Sequence, residues 1–159
     1  MRKGFTIIEF LIYITILVIA IAAMGLILSN IFRVGARTDV IQEVSHNGRF
    51  AMQRIGQTIN EGSGIDIKEG GKELEISFKD QDPILFHVLE EDRRKKIIIR
   101  EGGQDIELTT NRVNVDSIFF KKVSDDSVRV EMKISFYNPQ NLPEYEFNNF
   151  FTSSFTLKN

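Results

Sequence analysis

Hydrophobic and polar positions divide the chain into three stretches with different periods. Residues 10–28 carry no charge, and these nineteen positions nearly match the roughly 20 residues that a helix needs to cross the hydrocarbon core of a bilayer. The stretch is apolar on every side, whereas a helix on the core of a soluble protein is striped. The pattern therefore predicts a membrane-spanning helix close to the N-terminus.

A striped pattern follows this apolar segment. Residues 29–61 contain no proline, and apolar or small residues recur there at helical spacings of three and four. The stripe consists of Ile41, Val44, Gly48, Ala51, Ile55 and Ile59. We expect it to face the rest of the fold, and we expect the helix to stop at residues 61–64, where glycines suit the left-handed residue that closes a helix.

Beyond Gly64 the hydrophobic positions alternate with a period of two, which is typical of strands. The longest alternation covers residues 127–137, and Gly-Gly pairs at residues 70–71 and 102–103 predict tight hairpin turns. Further strands are expected near residues 74–78, 84–88, 97–99, 106–108, 113–120 and 150–157. Six to eight strands joined by short turns predict the α+β class, with a long N-terminal helix packed on an antiparallel β-sheet domain.

Composition limits the class of protein but does not identify a partner. The chain has 159 residues, 42% hydrophobic and 26% charged, which suits one anchored domain of ordinary globular composition. Its net charge of −2 gives no general reason to expect nucleic acid. It contains no cysteine, so a disulfide framework and thiolate chemistry are excluded.

The first nine residues carry a specific motif. Basic Arg2 and Lys3 precede Gly4-Phe5, and Glu9 is the only acidic residue in the apolar helix. An ionisable residue at the edge of a membrane segment is costly and is by default a functional candidate. This combination resembles the class III signal of type IV pilins and type II secretion pseudopilins, with its prepilin-type methylation motif.

The resemblance implies a processing step and an assembly residue. In that family a membrane peptidase cuts after the glycine and methylates the new amine, so Gly4 precedes the cut, Phe5 becomes the methylated first residue and Glu9 matches the family's glutamate. The amine of one subunit would then meet Glu9 of its neighbour. Such a pair would fix the axial register between helices, because the apolar surface alone allows many sliding positions. The implied organisation is a cleaved leader (1–4), a transmembrane and filament-core helix (5–31), its amphipathic continuation (32–62) and an antiparallel β-rich domain (63–159).

These implications define the expected function, location and partners. We expect a structural subunit, of the minor pilin or pseudopilin kind, of a type IV pilus-like or type II secretion-like filament. It would cross the inner membrane once, with its globular domain outside the cytoplasm. The expected partners are a prepilin peptidase and methyltransferase, other pilin or pseudopilin subunits, the inner-membrane assembly platform and membrane lipid.

Other interpretations of the N-terminal segment stay open at this point. A plain signal anchor explains the length and the basic start but gives no role to Gly4 or Glu9. A cleaved secretory signal peptide is suggested by the small residues Ala20 and Ala22, although the apolar run continues beyond them. The alternative function is a signal-anchored extracytoplasmic binding or sensor domain that does not polymerise. The positive-inside rule does not decide orientation, because two basic residues flank each side of the segment.

Residues for catalysis and metal binding are few. His46 and His87 are the only histidines and have no cysteine companions, so a zinc site lacks its usual ligands. Asp80 and Asp82 lie in a short polar turn without the further oxygen ligands of a calcium loop. We expect no enzyme activity, no metal and no cofactor, with His46 on a helix surface and His87 on a strand face.

One charged run is a candidate phosphate-binding site. Residues 90–96 place three acidic residues directly before four basic ones, and no aromatic residue interleaves with them. Single-stranded nucleic acid is normally held by aromatic stacking together with positive charge. The run therefore favours a solvated hairpin tip, and DNA is not an expected partner.

Overall fold

The computed structural model describes residues 6–158, and the chain divides into two compact units at Thr38. Helix α1 comprises Ile7–Glu61 and supplies all the regular structure of the first unit. The second unit starts at Asp39 and contains the rest of α1 together with every strand. In the second unit the helix packs on antiparallel sheets, which confirms the predicted α+β class.

Eight strands follow the helix, and all of their pairings are antiparallel. They form a five-stranded sheet in the order β1-β2-β3-β4-β5 and a three-stranded sheet in the order β6-β7-β8. The strands are β1 (Gly64–Lys68), β2 (Glu73–Ser77), β3 (Ile84–Glu91), β4 (Arg94–Glu101), β5 (Gln104–Glu107), β6 (Val113–Ser124), β7 (Ser127–Phe136) and β8 (Asn148–Thr156).

Both glycine pairs lie in hairpin turns, as the sequence predicts. Gly70 and Gly71 join β1 to β2 with φ of 66° and 98°, and Gly102 and Gly103 join β4 to β5 with φ of 57° and 77°. Positive φ at these positions strains residues that carry a Cβ, which explains why glycine occupies them. The turns fix the register of the two hairpins.

The core lies between the buried face of α1 and the inner faces of the two sheets. Val44, Ala51, Ile55 and Ile59 of the helix are fully buried, as the predicted stripe requires. They belong to one cluster with inner-face residues of both sheets. The strand members of this cluster include Leu74, Ile76, Phe86, Ile97, Ile99, Val113, Val115, Phe120, Val128, Val130, Met132 and Ile134.

Ile41 was expected on the buried face, and this prediction is wrong. Ile41 is 38% exposed, whereas Val40 is 1% exposed and takes the place of Ile41. Both residues lie one helical turn before Val44, at i−4 and i−3, so spacing alone does not distinguish them. The helical twist places the i−4 residue towards the core here.

Two other expectations differ from the structure. The helix ends at Glu61 as predicted, but Gly62 does not adopt the left-handed conformation. Its amide donates to the carbonyls of Thr58 and Ile59, and a Cβ at this position would meet the side chain of Ile76. Close packing against β2 therefore explains the glycine. Strand β1 was not predicted, because only Ile65 and Ile67 alternate in it.

Candidate functional site

The first unit presents an apolar surface on all sides. Large hydrophobic side chains of α1 within this unit are 41% to 82% exposed, the limits being Ile14 and Ile7. Soluble proteins rarely expose an apolar surface of such extent. By length and composition, α1 contains one segment that is able to cross a membrane.

Two hydroxyl groups of this segment form hydrogen bonds within the helix. Thr15 Oγ1 donates to the carbonyl of Leu11 at 2.8 Å, and Ser29 Oγ donates to the carbonyl of Leu26 at 2.9 Å. In hydrocarbon each polar group needs an internal partner, since no water is available. These contacts make the segment compatible with burial in lipid despite its hydroxyl side chains.

Glu9 lies in the first turn of the helix, beside an N-terminal cap. Thr6 immediately precedes α1, and its Oγ1 accepts a hydrogen bond from the Glu9 backbone N–H at 3.3 Å. The sequence Thr-x-x-Glu before an apolar run is the signature of a capping box, in which the glutamate side chain also belongs to the N-terminal turn. This second role of Glu9 was not predicted, although the Thr-x-x-Glu spacing carries the signal.

The cap places a carboxylate where the helix favours negative charge. The N-terminal end of a helix carries a partial positive charge, which stabilises an acidic residue in the first turn. The Glu9 residue is partly exposed. Its backbone is thus held by Thr6, while its carboxylate remains at the edge of the apolar surface. Gly4 and Phe5, the predicted processing residues, lie outside the described residues.

A second polar cluster attaches the helix to the segment between β5 and β6. Asn47 is buried at 2% exposure, and its Oδ1 accepts from the Thr110 backbone N–H at 2.8 Å. Glu43 accepts from the Asn47 side-chain amide at 3.0 Å and from Thr110 Oγ1 at 2.9 Å. Arg112 completes the cluster with an ion pair to Glu43 at 2.9 Å. Every donor of this cluster gives its hydrogen bond to an acceptor on α1. The cluster therefore orients α1 on the β domain.

Residues 90–96 form a hairpin tip between β3 and β4, as predicted. Asp92 and Arg93 make the turn with φ of 50° and 63°. The register pairs Glu90 with Lys95, and their charged groups lie 3.9 Å apart. Opposite charges on the two strands therefore face each other.

Lys96 is the most buried cation of this hairpin. Its side chain is 8% exposed, and its Nζ lies 2.8 Å from Glu107 and 3.6 Å from Glu91. The hydrogen bond with Glu107 raises the pKa of the Lys96 ammonium, and the negative charges of Glu107 and Glu91 act in the same direction. Lys96 is thus committed to the sheet and is not free to contact a ligand.

The histidines occupy the expected elements but do not form a site together. His46 is exposed on α1 and stacks on Phe50, with 6.5 Å between ring centroids. His87 lies on β3 with a buried Nδ1 that has no hydrogen-bond partner among the described atoms. In residues 6–158, no group of three or more histidine, aspartate or glutamate residues is arranged to hold a metal ion.

A cleft with mixed charge lies between the two sheets. It has a volume of about 300 Å³ and is lined by residues of both signs, among them Lys72, Lys95, Glu73 and Glu90. Its walls contain no histidine, and the arrangement does not indicate a particular ligand. The features that bear most directly on function are therefore the apolar helix surface and Glu9 at its start.

Comparison of the chain with protein families, with curated proteins and with solved structures found no match. The architecture itself, one long apolar N-terminal helix followed by antiparallel sheets, fits that of a pilin-like protein.

Proposed function

We propose that this chain is a structural subunit of a type IV pilus-like or type II secretion-like filament, of the minor pilin or pseudopilin kind. The observation that carries the proposal is the exposed apolar surface of the first unit, which has a single carboxylate, Glu9, in its first turn. Such a surface requires a cover of lipid before assembly and of neighbouring helices after it. The β domain would lie outside the cytoplasm.

The role proposed for Glu9 follows from the cost of burying a charge. In a filament whose helices pack together, a carboxylate loses water and needs a cationic partner. The amine created at Phe5 by cleavage would supply it from a neighbouring subunit. Removing one partner of a buried ion pair costs about 3–5 kcal/mol, which is enough to select one register over others.

The cap at Thr6 separates two possible roles of Glu9. A capping box needs a hydrogen-bonding side chain at the glutamate position, and glutamine serves there as well. An intersubunit ion pair needs the charge. Glu9→Gln therefore keeps the local role and removes the assembly role, whereas Thr6→Ala weakens the cap and keeps the charge.

Cleavage and methylation at the N-terminus are the first test of the proposal. The full chain is coexpressed with a prepilin peptidase and methyltransferase, and the mass of the product is measured. The expected product begins at Phe5 and carries one additional methyl group. Gly4→Val serves as the control that is not cut. Retention of Met1 alongside complete cleavage of a known prepilin in the same cells would contradict the proposal and favour a non-polymerising signal-anchored binding or sensor domain.

We also propose that the chain is not an enzyme. Its partners would be the peptidase, the inner-membrane assembly platform, membrane lipid and other subunits of the filament. In this proposal the helix serves assembly, and the outer surfaces of the β domain remain available for other contacts.

A further inference from the structure

Two strands of the β domain have one edge without a partner strand. In residues 6–158, β5 pairs only with β4, and β8 pairs only with β7. The other two outer strands, β1 and β6, contact each other within the chain. The open edges are therefore those of β5 and β8, one from each sheet.

The edge of β8 lacks the features that normally prevent a strand from pairing with another chain. Natural edge strands are protected by short length, by charged side chains, by proline or by a bulge. Strand β8 has nine residues without a charge, a proline or a glycine, and its register with β7 is continuous. By contrast, β5 has four residues, two of them acidic. Strand β8 is thus a template for an incoming strand.

The ladder between β7 and β8 identifies the backbone groups at the open edge. The Leu157 N–H donates to the Asp126 carbonyl at 2.8 Å, and bonded and non-bonded pairs alternate in an antiparallel ladder. The Phe150 N–H donates to Asn149 Oδ1 at 2.9 Å, a contact that the carbonyl of an incoming strand would replace. The residues whose backbone groups point away from β7 are Asn148, Phe150, Thr152, Ser154 and Thr156.

The open edge of β5 follows from the same alternation. The Leu108 N–H donates to the Ile97 carbonyl at 2.8 Å, so every second residue before Leu108 also bonds to β4. Asp105 and Glu107 therefore direct their backbone groups away from β4. Both open edges present alternating donors and acceptors, as an antiparallel partner strand requires.

Strand β8 runs in the same direction as the part of α1 on which it packs. A Cβ at Gly48 would meet the ring of Phe151. Further along the helix, a Cβ at Gly56 would meet the ring of Phe155. Helix and strand therefore advance together.

Strand β5 runs in the opposite direction. Arg54 donates at 3.2 Å to Glu101, which lies just before β5. Asn47, earlier in the helix, accepts at 2.8 Å from the N–H of Thr110, which lies just after β5. In two copies of the chain that point the same way, β8 of one copy and β5 of the other are therefore antiparallel.

We propose that β8 of one copy pairs with β5 of a second copy, so that one continuous sheet crosses the boundary between them. The second copy keeps its own β8 open, so the contact is head-to-tail and can repeat. Antiparallel pairing of β8 with β8 would instead turn the two copies in opposite directions. The contact needs neither cleavage at Phe5 nor the charge of Glu9, so it can fail while the proposed assembly through α1 stands, and the reverse.

Charge favours one register of this pairing, in which Phe150 lies opposite the partner's Glu107. The Lys133 ammonium lies 5.2 Å from the centre of the Phe150 ring, so it reaches over β8 towards this carboxylate. A shift by two residues would place Thr152 opposite the partner's Glu107. Glu131 is the neighbour of Thr152 on β7, so the shifted register would bring two carboxylates close together.

The same register covers apolar side chains that are open in the single copy. Phe150 is 70% exposed and Ile106 is 48% exposed. Phe151 lies opposite the partner's Ile106 on the inner side of the sheet. Thr152 lies opposite the partner's Asp105 on the outer side. Residues opposite each other in neighbouring strands are close enough for their side chains to pack, so the pairing removes exposed apolar surface.

Introduced cysteines test the contact without background, because the chain contains no cysteine. Thr152→Cys and Asp105→Cys chains are purified separately in nonionic detergent, mixed and oxidised. The Cα atoms of such a hydrogen-bonded pair lie about 5.5 Å apart, which suits a disulfide. We expect a linked dimer in the mixture and little linkage in either chain alone or when Ser154→Cys replaces Thr152→Cys. A chain with both Thr152→Cys and Asp105→Cys is expected to form a ladder of oligomers.

Substitutions in the cysteine-free chain test the same contact by sedimentation. Thr152→Pro removes an N–H at the open edge, where proline is tolerated, and is expected to weaken self-association about tenfold. Lys133→Glu is expected to weaken it as well, because like charges then meet at the partner's Glu107. Lys79→Glu changes an exposed cation between β2 and β3 and should associate as the unchanged chain does. Thermal unfolding verifies that each variant keeps the fold.

Three results would overturn the proposal. A mixture with no more linked dimer than the separate chains would exclude the contact between β8 and β5. Efficient linkage of Thr152→Cys with itself would assign the β8 edge to a two-fold dimer. Unchanged self-association of the folded variants at Thr152 and Lys133 would show that the copies associate through another surface.

Discussion

Asn47 Oδ1 accepts a hydrogen bond from the backbone N–H of Thr110 at 2.8 Å, although the two residues are 63 positions apart in the chain. The Asn47 amide in turn donates to the carbonyl and to the carboxylate of Glu43. The buried side-chain amide thus has hydrogen-bond partners on its own helix and on the segment before β6. Such directional bonds restrict the rotation of the helix about its axis more than apolar packing does. The contact joins α1 to the segment before β6.

Replacing Asn47 by alanine removes this connection and leaves the Thr110 N–H without its partner. A buried group deprived of its hydrogen bond costs about 1–3 kcal/mol, so we expect Asn47→Ala to lower the free energy of unfolding by that amount. Denaturant titration in detergent measures the change. Asn60→Ala, an exposed position on the same helix, should alter stability by less than about 0.5 kcal/mol. Equal effects of the two substitutions would refute the role of Asn47.

Glycines of α1 receive aromatic side chains of β8. A Cβ at Gly48 would meet the ring of Phe151, and a Cβ at Gly56 would meet the ring of Phe155. Eight helical residues rise about 12 Å, and four strand residues extend about 13 Å. The two pairs therefore match in spacing, and both glycines permit close approach between helix and sheet.

Gly48→Ala tests this fit. Alanine favours a helix by about 1 kcal/mol over glycine, but overpacking costs about 1–3 kcal/mol, so we expect net destabilisation. Gly35→Ala is the control, because a Cβ there has no neighbour within 4 Å, and it should stabilise the helix. Combining Gly48→Ala with Phe151→Ala should cost less than the sum of the two single changes. Strict additivity would contradict the proposed contact.

Much of the fold follows from local patterns in the sequence, whereas the contacts across the core do not. The alternation in β7 and the Gly-Gly turns are local features and predict their elements. Asn47 was not expected inside, because its partner Thr110 lies far along the chain. Gly48 belonged to the predicted stripe, but its position there did not identify Phe151 as its neighbour. Strand β1 was missed since it contains only two apolar residues, which gain their burial from pairing with β2.

The candidate sites also differ in whether a local motif of the sequence identifies them. Gly4, Phe5 and Glu9 form a motif within nine residues, so the sequence alone identifies them as candidates. The cap by Thr6 was overlooked, although its spacing is also local. The polar cluster on α1 joins Asn47 and Glu43 to residues 63 to 69 positions away, so no local motif could predict it.

The ion pair between Lys96 and Glu107 predicts a dependence of stability on pH. Because this contact raises the pKa of Lys96, its contribution is complete below the ordinary value of 10.5 and is lost as pH increases through the higher folded-state value. We expect Glu107→Gln to be less stable than the unchanged chain at neutral pH, and the difference should diminish above pH 10.5. Urea unfolding at several pH values measures it.

Glu61→Gln provides the matched control for that series. Glu61 is exposed at the end of α1, so its replacement should leave the alkaline limb of the stability curve unchanged. A constant difference between Glu107→Gln and the unchanged chain at every pH would show that the charge of Lys96 contributes nothing to the contact.

The proposed filament requires that the charge of Glu9 is paired between subunits. The measurement is the amount of Glu9→Gln protein in purified filaments relative to the amount in the membrane, with Thr6→Ala and the unchanged chain measured in parallel. We predict that Glu9→Gln is inserted, processed and folded but strongly depleted from filaments, while Thr6→Ala is incorporated nearly as well as the unchanged chain. Incorporation of Glu9→Gln at the level of the unchanged chain would contradict the proposed pairing of Glu9 with the amine of a neighbouring subunit.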